Sequence, residues 1–230
     1  MKILNQNKFL TIKVFLEIRM LKIFLLGIIS GFPWVLIGSS LSLWLKEEGL
    51  SRSTIGWAGA IFAVYAINYL WAPLVDKLKI FWLTKKIGHR KSWIFLMQLM
   101  ISVSLLFWSS IDPEKNLFFV IFIGLLIAIF SSTQDISIDA LRIEQLKSNE
   151  SNIMAAAASM AVIGWWTGFK IGGLLSLSIS DYFQNIGYHN YWQLTFIFLF
   201  FILILLNFLL LTIKEFPKNQ TKKDQLPLFK

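Results

Sequence analysis

The sequence predicts an all-α integral membrane protein with six transmembrane helices. Hydrophobic residues make up 56% of its 230 residues and charged residues only 15%, compared with about 25% charged residues in average soluble domains. Six apolar stretches are long enough to cross the hydrocarbon core of a bilayer, which takes about 20 residues each. Backbone groups in lipid must pair within their own segment, so stretches this apolar form helices.

The predicted order of elements is a short N-terminal segment, a six-helix domain and a polar tail. The N-terminal segment covers residues 1–20, the helical domain 21–213 and the tail 214–230. No small-residue cleavage site follows the first apolar stretch, which is therefore expected to remain as an anchor. The predicted spans cover about residues 21–45, 54–75, 93–111, 117–140, 153–180 and 192–213.

Lysine and arginine residues are distributed unequally between the two sides of the predicted spans. With the N-terminus inside, 18 of the 22 lie on the inner side, counting Lys22 at the start of the first span. Only Lys46, Arg52 and Lys115 lie on the outer side. Positive residues accumulate in cytoplasmic loops, so both termini are predicted to be cytoplasmic. The net charge of +9 follows from this topology, and no nucleic-acid partner is expected.

The residue inventory argues against an enzyme. The chain has no cysteine, and its two histidines, His89 and His189, lie in predicted loops without metal-ligand spacing. No cluster of nucleophile and base and no phosphate-binding loop is found in the sequence. The sequence therefore predicts neither a catalytic function nor a metal or cofactor site.

Polar residues share one face of the fourth predicted span. Ser131, Ser132, Asp135, Asp139 and Arg142 recur at steps of one, three or four residues, which places them on one stripe of a helix. A charge at bilayer depth is costly, and ionisable residues there usually mark a pathway or a proton relay. The stripe is therefore expected to face water, another helix or a substrate.

Two interpretations stay open for the carboxyls of this stripe. Asp139 and Arg142 are three residues apart near the inner end and can form a local ion pair. Asp135 lies about one turn deeper. A carboxyl that is neutral when occluded and ionised when hydrated can carry a proton. Asp135 is thus the stronger proton-coupling candidate and Asp139 the second.

Lys170 is a further charge inside an apolar stretch, the fifth. By the rise of a helix it lies about 25 Å from the inner end of its span, whereas Asp135 lies only about 9 Å from the inner end. A direct bridge between the two residues is therefore not expected. Lys170 either faces a central cavity, where it would bind an anionic group of a substrate, or reaches outward to the membrane surface.

The chain contains 10 tryptophans. Most of them, including Trp44, Trp108 and Trp192, lie near predicted span ends, where an amphipathic ring suits the headgroup zone. Trp34 and Trp165 lie deeper. Aromatic rings bury large flat surfaces, and they stack on sugar faces, so these two are candidates for the wall of a substrate cavity.

The fifth span also carries a ladder of glycines. Gly164, Gly168 and Gly172 recur at a spacing of four residues. Such a ladder leaves a shallow groove along one face, so that a neighbouring helix can approach closely. The pattern predicts a tight helix–helix contact and fits a helix that moves against its neighbour.

Several stretches together resemble one family of transporters, the AmpG-type permeases of the major facilitator superfamily. The similarity extends over about residues 20–213 and includes "WAPLVD" (71–76), followed one helix later by "TQDISIDA" (133–140). The other stretches that carry it are "GIISGFPWVLIGSSLSLWLKEEGLSRSTIGW" (27–57), "GHRKSWIFLMQL" (88–99) and "GWWTGFKIGG" (164–173).

The resemblance implies half of a 6+6 helical bundle in the bacterial inner membrane. Permeases of this type import peptidoglycan-derived anhydro-muropeptides, which are sugar-peptides, by proton symport. Substrate sites in this fold lie at the interface between the two halves. A second six-helix chain or a homodimer would then supply the other half of the site. The other expected partners are the lipid bilayer, the sugar-peptide and protons.

The resemblance also implies roles at the inner end of the bundle. Asp76, Arg90 and Lys91 lie in a lengthened form of the superfamily's loop between helices two and three, and are expected to act in a cytoplasmic gate. Arg142, at the inner end of the fourth span, is expected to belong to the same gate.

Five positions inside the membrane match the family pattern, and one departs from it. Gly31 and Pro33 match its Gly-x-Pro in helix one, where a proline frees a backbone carbonyl and permits a bend. Gln134 stands with the two aspartates in the helix-four signature, which makes it a candidate for the substrate cavity. Lys170 stands where the family more often has arginine, so bidentate binding of a carboxylate is not expected there.

Two functions remain open at this point. The chain is expected to be a secondary active transporter, or half of one, that imports a sugar-peptide with protons. The alternative is a membrane protein that does not transport, either a truncated remnant or an assembly partner of another chain.

Overall fold

A computed structural model describes residues 14–146 and 151–215, and in these ranges the regular secondary structure is entirely helical. We number the α-helices in chain order. They are α1 (Ile18–Val35), α2 (Leu41–Glu47), α3 (Arg52–Ala58), α4 (Ala63–Ile67), α5 (Ala72–Lys77), α6 (Phe81–Ile87), α7 (His89–Trp108), α8 (Leu117–Glu144), α9 (Ser151–Asn185) and α10 (Tyr191–Leu211).

Six segments of the described chain are long and apolar enough to cross a membrane. They are Ile18–Glu47, Arg52–Leu70, His89–Trp108, Leu117–Glu144, Ile153–Asn185 and Tyr191–Leu211. The prediction of an all-α protein with six transmembrane helices is therefore confirmed. Most of the predicted N-terminal segment, residues 1–13, and most of the predicted tail, residues 216–230, lie outside the described residues.

The first span is not one regular α-helix. Pro33 lies in the last turn of α1, and a π-helical segment, Leu36–Ser40, joins α1 to α2. A proline has no N–H to donate to the carbonyl four residues earlier, which here belongs to Ile29. The helical ladder is therefore interrupted in the middle of the membrane-spanning segment, where the sequence predicts a bend.

Helices α1 and α9 pack backbone to backbone through glycines from both sides. A Cβ atom added to Gly27 or Gly31 would overlap the backbone of α9 around Trp165, and one added to Gly164 would overlap the backbone around Phe24. Gly168 lies equally close to the backbone of Ile28. Small residues permit this approach, so the glycine ladder determines how α9 is placed against α1.

An aromatic cluster closes the bundle at the end where α2, α7 and α10 meet. Trp44, Trp108 and Trp192 are completely buried and pack around Phe196, with ring centroids of Trp44 and Phe196 4.9 Å apart. These three tryptophans lie at helix ends, as the sequence predicts, but their rings face the interior of the bundle rather than its outer surface. Their indole N–H groups find partners inside the protein, such as the Val120 carbonyl for Trp108 at 3.0 Å, so burial leaves no donor unpaired.

Candidate functional site

The candidate site lies between α1, α8 and α9, where Asp135 meets Ser30. The Ser30 hydroxyl donates a hydrogen bond of 2.6 Å to Asp135 Oδ1 across the contact between α1 and α8. Both residues line a cavity of about 240 Å³. The remaining lining residues are Ile23, Leu26, Gly27, Ile138, Asp139, Arg142, Ala161, Val162 and Trp165.

Gln134 connects α8 to the interruption in α1. Its side-chain Nε2 donates a hydrogen bond of 3.0 Å to the Ile29 carbonyl. This is the carbonyl that Pro33 leaves without its helical N–H partner. A buried carbonyl without a partner costs free energy, so Gln134 stabilises the broken helix and keeps α1 in register with α8. The candidate roles of Gln134 and Pro33 therefore meet at a single backbone atom.

Aromatic rings form a second wall beside Asp135. The Trp34 ring packs 4.4 Å from Tyr65, 5.1 Å from Phe62 and 5.5 Å from Trp165, measured between centroids. Trp34 Nε1 and the Tyr65 hydroxyl are buried, and neither has an aligned hydrogen-bond partner among the described residues. They lie close to Asp135 and Ser131, respectively.

Further polar atoms of α8 are buried without partners in the described part of the chain. They are the hydroxyls of Ser131 and Ser137 and the side-chain oxygen of Gln134. Most buried polar atoms in proteins are hydrogen-bonded, so each exception needs a reason. Water or a substrate that reaches this stripe would supply the missing partners.

Asp139 and Arg142 lie at the rim of the same cavity. Arg142 Nη2 approaches Asp139 Oδ1 to 3.0 Å, and the Asp139 side chain is 66% exposed. This local pair is one of the two interpretations that the sequence leaves open for Asp139. Because its carboxylate is paired and exposed, Asp139 differs physically from Asp135, whose partner is a neutral hydroxyl.

The predicted gate residues divide into separate contacts. Arg90 bridges Asp76 at the end of α5 and Glu144 at the end of α8, the latter at 3.4 Å. Lys91 Nζ instead donates to the Leu211 carbonyl at the end of α10, at 3.2 Å. Arg142 does not join these contacts, because it is paired with Asp139. Of the four residues predicted to act in a gate, Asp76 and Arg90 thus share one ion-pair cluster, whereas Lys91 and Arg142 make separate contacts.

Lys170 lies away from the Asp135 cavity. It is exposed on α9 and lines a separate surface depression with Val162, Ile163, Trp166 and Thr167. Its ammonium group is 6.0 Å from the centroid of the Trp166 ring. Of the predicted cavity residues, Trp165 lines the Asp135 cavity, and Trp34 packs behind it against the Trp165 ring. Gln134 bonds the backbone of α1 beside the cavity, and Lys170 lies outside it.

Glu215, which follows α10, caps the N-terminus of α7. One carboxylate oxygen accepts from the backbone N–H of His89 at 2.7 Å and of Arg90 at 3.1 Å, and the other accepts from Lys91 N–H at 2.9 Å. The first N–H groups of a helix have no partner within the helix, and negative charge there is favourable. Glu215 therefore connects the end of the sixth span to the start of the third.

We expect Glu215→Ala to lower the free energy of unfolding by about 1 kcal/mol, as for the loss of other helix caps. A change of this size corresponds to a decrease in Tm of roughly 2–4 °C for a protein of this length. Thermal melting of the detergent-solubilised protein measures it. Glu114→Ala removes the same charge in an exposed loop and should change Tm much less. Equal Tm values for Glu215→Ala and the unmodified protein would contradict the capping role.

A second polar region lies at the opposite end of the bundle. Glu48, Asp112, Lys115, His189 and other polar residues line an open depression of about 550 Å³. Burial raises the pKa of the Glu48 carboxyl, whereas the hydrogen bond from Lys115 holds the pKa of Asp112 below its usual value. This region belongs to the loops, and the ion pair that forms within it joins Lys115 to Asp112 at 2.7 Å.

Several residues of the site were not predicted from the sequence. Ser30 is a neighbour of Gly31 in the Gly-x-Pro stretch, but only the packing of α1 on α8 brings it to Asp135. Tyr65 is a tyrosine in an apolar stretch, which periodicity alone does not distinguish from a core residue. Glu144 and Glu215 lie at helix ends, where acidic residues are common on the surface.

Comparisons with known proteins agree with this architecture. The family model described as "Major Facilitator Superfamily" matches residues 23–229. "Putative transporter AmpG 4" of Rickettsia conorii is 36% identical over 203 residues, covering 88% of this chain and 47% of that protein. "Putative transporter AmpG 3" of Rickettsia prowazekii is 32% identical over 207 residues, covering 90% and 47%.

A solved structure shows the same fold. It is a bacterial homologue of the human lysosomal transporter Spinster in an inward-facing, unoccupied conformation, with a TM-score of 0.56 and 16% sequence identity. The match covers 94% of this chain and 47% of that one. This chain spans about half the length of the relatives it matches. On the family model and on these relatives, the chain belongs to the major facilitator superfamily of transporters.

Proposed function

We propose that this chain forms the first six helices of an AmpG-type secondary transporter, which imports peptidoglycan-derived anhydro-muropeptides with protons across the bacterial inner membrane. Relatives that carry the name AmpG support the transporter class. The substrate and the coupling ion rest on the geometry of the Asp135 site and on the family resemblance of its residues.

The observation that carries the proposal is the contact between Ser30 and Asp135 at the wall of a cavity inside the bundle. Asp135 lies within a membrane-spanning segment, where carboxyls are rare and usually functional. A hydroxyl can donate to the ionised carboxylate and can accept from the protonated carboxyl. Asp135 can therefore take up and release a proton without losing its partner on α1.

The aromatic wall suits a sugar. Trp34 and Trp165 offer ring surfaces, and the unpartnered Trp34 Nε1 and Tyr65 hydroxyl can bond to hydroxyl or amide groups. Arg142 at the cavity rim is placed to meet a carboxylate of the peptide part, in exchange for Asp139. Lys170 would meet a group on the exposed face of α9 rather than in this cavity.

We propose that a second six-helix body covers the exposed faces of the second and fifth spans. These two spans, Arg52–Leu70 and Ile153–Asn185, have the smallest buried share of the six and are also the least hydrophobic. Faces directed only at lipid would be the most hydrophobic, as Tyr191–Leu211 is. The other body is a further six-helix chain or a second copy of this one, and it completes the substrate site at the interface.

The exposed, less hydrophobic faces of the second and fifth spans also favour the alternative function, an assembly partner that does not transport by itself. In that case the exposed faces would bind another membrane protein, and the Asp135 cavity would serve packing. With cytoplasmic termini, the ion pairs around Arg90 would lie at the cytoplasmic end and act as the gate of either assembly.

The test is uptake of radiolabelled anhydro-muropeptide by cells that lack their own permease and express this chain. A transporter coupled to one proton is expected to accumulate the label roughly fortyfold at a potential of 100 mV. Collapse of the proton gradient by a protonophore should return the ratio to about one. If another membrane chain co-purifies, the two chains are expressed together. Uptake by the pair would identify this chain as half of a transporter, and no uptake by the pair would support the assembly partner instead.

A further inference from the structure

The most exposed side chains of the short helix α6 form two pairs, each made of one aromatic ring and one lysine. Lys85 lies over the ring of Phe81 at 4.8 Å, and Lys86 lies over the ring of Trp82 at 3.9 Å, both measured from Nζ to the ring centroid. Each pair is four residues apart, so ring and ammonium lie on one side of the helix. Phe81 is 81% exposed and Trp82 is 65% exposed.

The chain just before α6 adds further charge to this side of the molecule. Lys77 and Lys79 are exposed as well. None of the four lysines, at positions 77, 79, 85 and 86, has an ion-pair partner in the ranges 14–146 and 151–215. We call Lys77, Lys79, Phe81, Trp82, Lys85 and Lys86 together the α6 surface.

The α6 surface is held in place next to the membrane. The helix lies between two membrane-spanning segments, Arg52–Leu70 and His89–Trp108, and Gly88 at a φ of +101° separates it from α7. Trp93 Nε1 donates to the Leu78 carbonyl at 2.9 Å. Only Gly88 separates α6 from α7, and the segment before α6 is bonded to α7 through Trp93. Helix α6 therefore stays beside the start of the third span, within reach of the headgroup zone.

The composition of the α6 surface distinguishes lipid from protein as its partner. Lysine is depleted at protein interfaces, whereas lysines with tryptophan and phenylalanine are typical of helices that lie in the membrane interface. Aromatic rings fit between headgroups, and flexible lysine stems let the ammonium reach the phosphates. A large aromatic area exposed beside four lysines that form no ion pair with the described residues therefore matches an anionic phospholipid.

We propose that the α6 surface is a binding site for anionic phospholipid. Phe81 and Trp82 insert between the lipids, and the four lysines hold the headgroup phosphates. The role is separate from transport of the sugar-peptide, since it involves none of the residues of the Asp135 cavity. It attaches the loop that carries Asp76 to the membrane surface.

The experiment uses a single fluorescent label, which the absence of cysteine from the chain permits. Leu78→Cys, at an exposed position next to the α6 surface, carries a polarity-sensitive dye. The full chain in neutral detergent is titrated with phosphatidylglycerol or with phosphatidylcholine. Phosphatidylglycerol is expected to shift the emission to shorter wavelength at a lower concentration than phosphatidylcholine does.

Two double substitutions separate the contribution of the lysine charges to lipid binding from that of aromatic insertion. Each lysine near an anionic surface strengthens binding roughly fivefold, so Lys85→Gln with Lys86→Gln should raise the phosphatidylglycerol midpoint about thirtyfold. Phe81→Ser with Trp82→Ser should reduce the emission shift in both lipids. Lys46→Gln with Arg52→Gln removes the same charge at the opposite end of the bundle and should leave the midpoint unchanged.

Equal midpoints for phosphatidylglycerol and phosphatidylcholine would overturn the proposal. It would also be overturned if Lys85→Gln with Lys86→Gln changed the phosphatidylglycerol midpoint no more than Lys46→Gln with Arg52→Gln does. An emission shift that needs only a higher protein concentration, with no added lipid, would identify the α6 surface as a protein contact instead.

Discussion

Asp135→Asn is expected to abolish concentrative uptake of the sugar-peptide. One charge moving across 100 mV supplies about 2.3 kcal/mol, which is roughly fortyfold accumulation. An amide in place of the carboxyl cannot bind or release the proton, so the accumulation ratio should fall to about one. The measurement is the ratio of labelled anhydro-muropeptide inside and outside cells that express equal amounts of each variant.

The substitution is mild for the fold, because an amide oxygen can still accept the hydrogen bond from Ser30. Asp112→Asn, the same chemical change in an exposed loop outside the cavity, should accumulate the label as the unmodified protein does. Asp139→Asn should lose less than Asp135→Asn, since Asp139 is exposed and paired with Arg142. Full accumulation by Asp135→Asn would remove Asp135 from the coupling step.

Gly164→Leu is expected to separate α1 from α9 and to destabilise the bundle. A side chain at this position would overlap the backbone around Phe24, which cannot move aside as a flexible side chain can. Overpacking typically costs about 1–3 kcal/mol and occasionally more, and we expect the upper end here. Thermal melting and the rate of trypsin cleavage of the solubilised protein measure the effect.

Gly173→Leu is the matched control, since it makes the same substitution on the same helix. Nothing in the described structure lies within 4 Å of a Cβ atom added to Gly173, so the melting temperature should change little. The Asp135 cavity has walls from α1 and α9, so Gly164→Leu should also abolish uptake. Equal melting temperatures for Gly164→Leu and Gly173→Leu would show that the close approach of the two helices is unnecessary.

The sequence predicted much of the polar stripe of α8 and little of what the stripe contacts. The spacing of Ser131, Asp135 and Asp139 places them on one face of any helix, because 3.6 residues make a turn. Which helix this face meets depends on the rotation of each helix about its own axis. The partners Ser30 and Ile29 follow from that rotation, and local spacing contains no information about it.

Tryptophan burial shows the same division. Apolar stretches end near Trp44, Trp108 and Trp192, and a headgroup position was a reasonable prediction from span length. In the structure these rings close the bundle from inside, because three helices bring them around Phe196. The depth of these rings in the membrane stays a prediction, whereas their inward direction is set by packing, because depth along a span and direction around it are independent quantities.

By itself, the sequence determined that this chain is a membrane protein with six spans, that the fourth span (α8) carries a polar face, and that the fifth span (α9) carries a glycine groove. Only the tertiary structure decided that Asp135 meets Ser30, that Gln134 bonds the carbonyl freed by Pro33, and that Lys170 lies outside the cavity. The reason is physical. Hydrophobic length and periodicity are local properties of one helix. The site is instead formed by the packing of α1, α8 and α9, which depends on the glycines and side chains of all three helices at once.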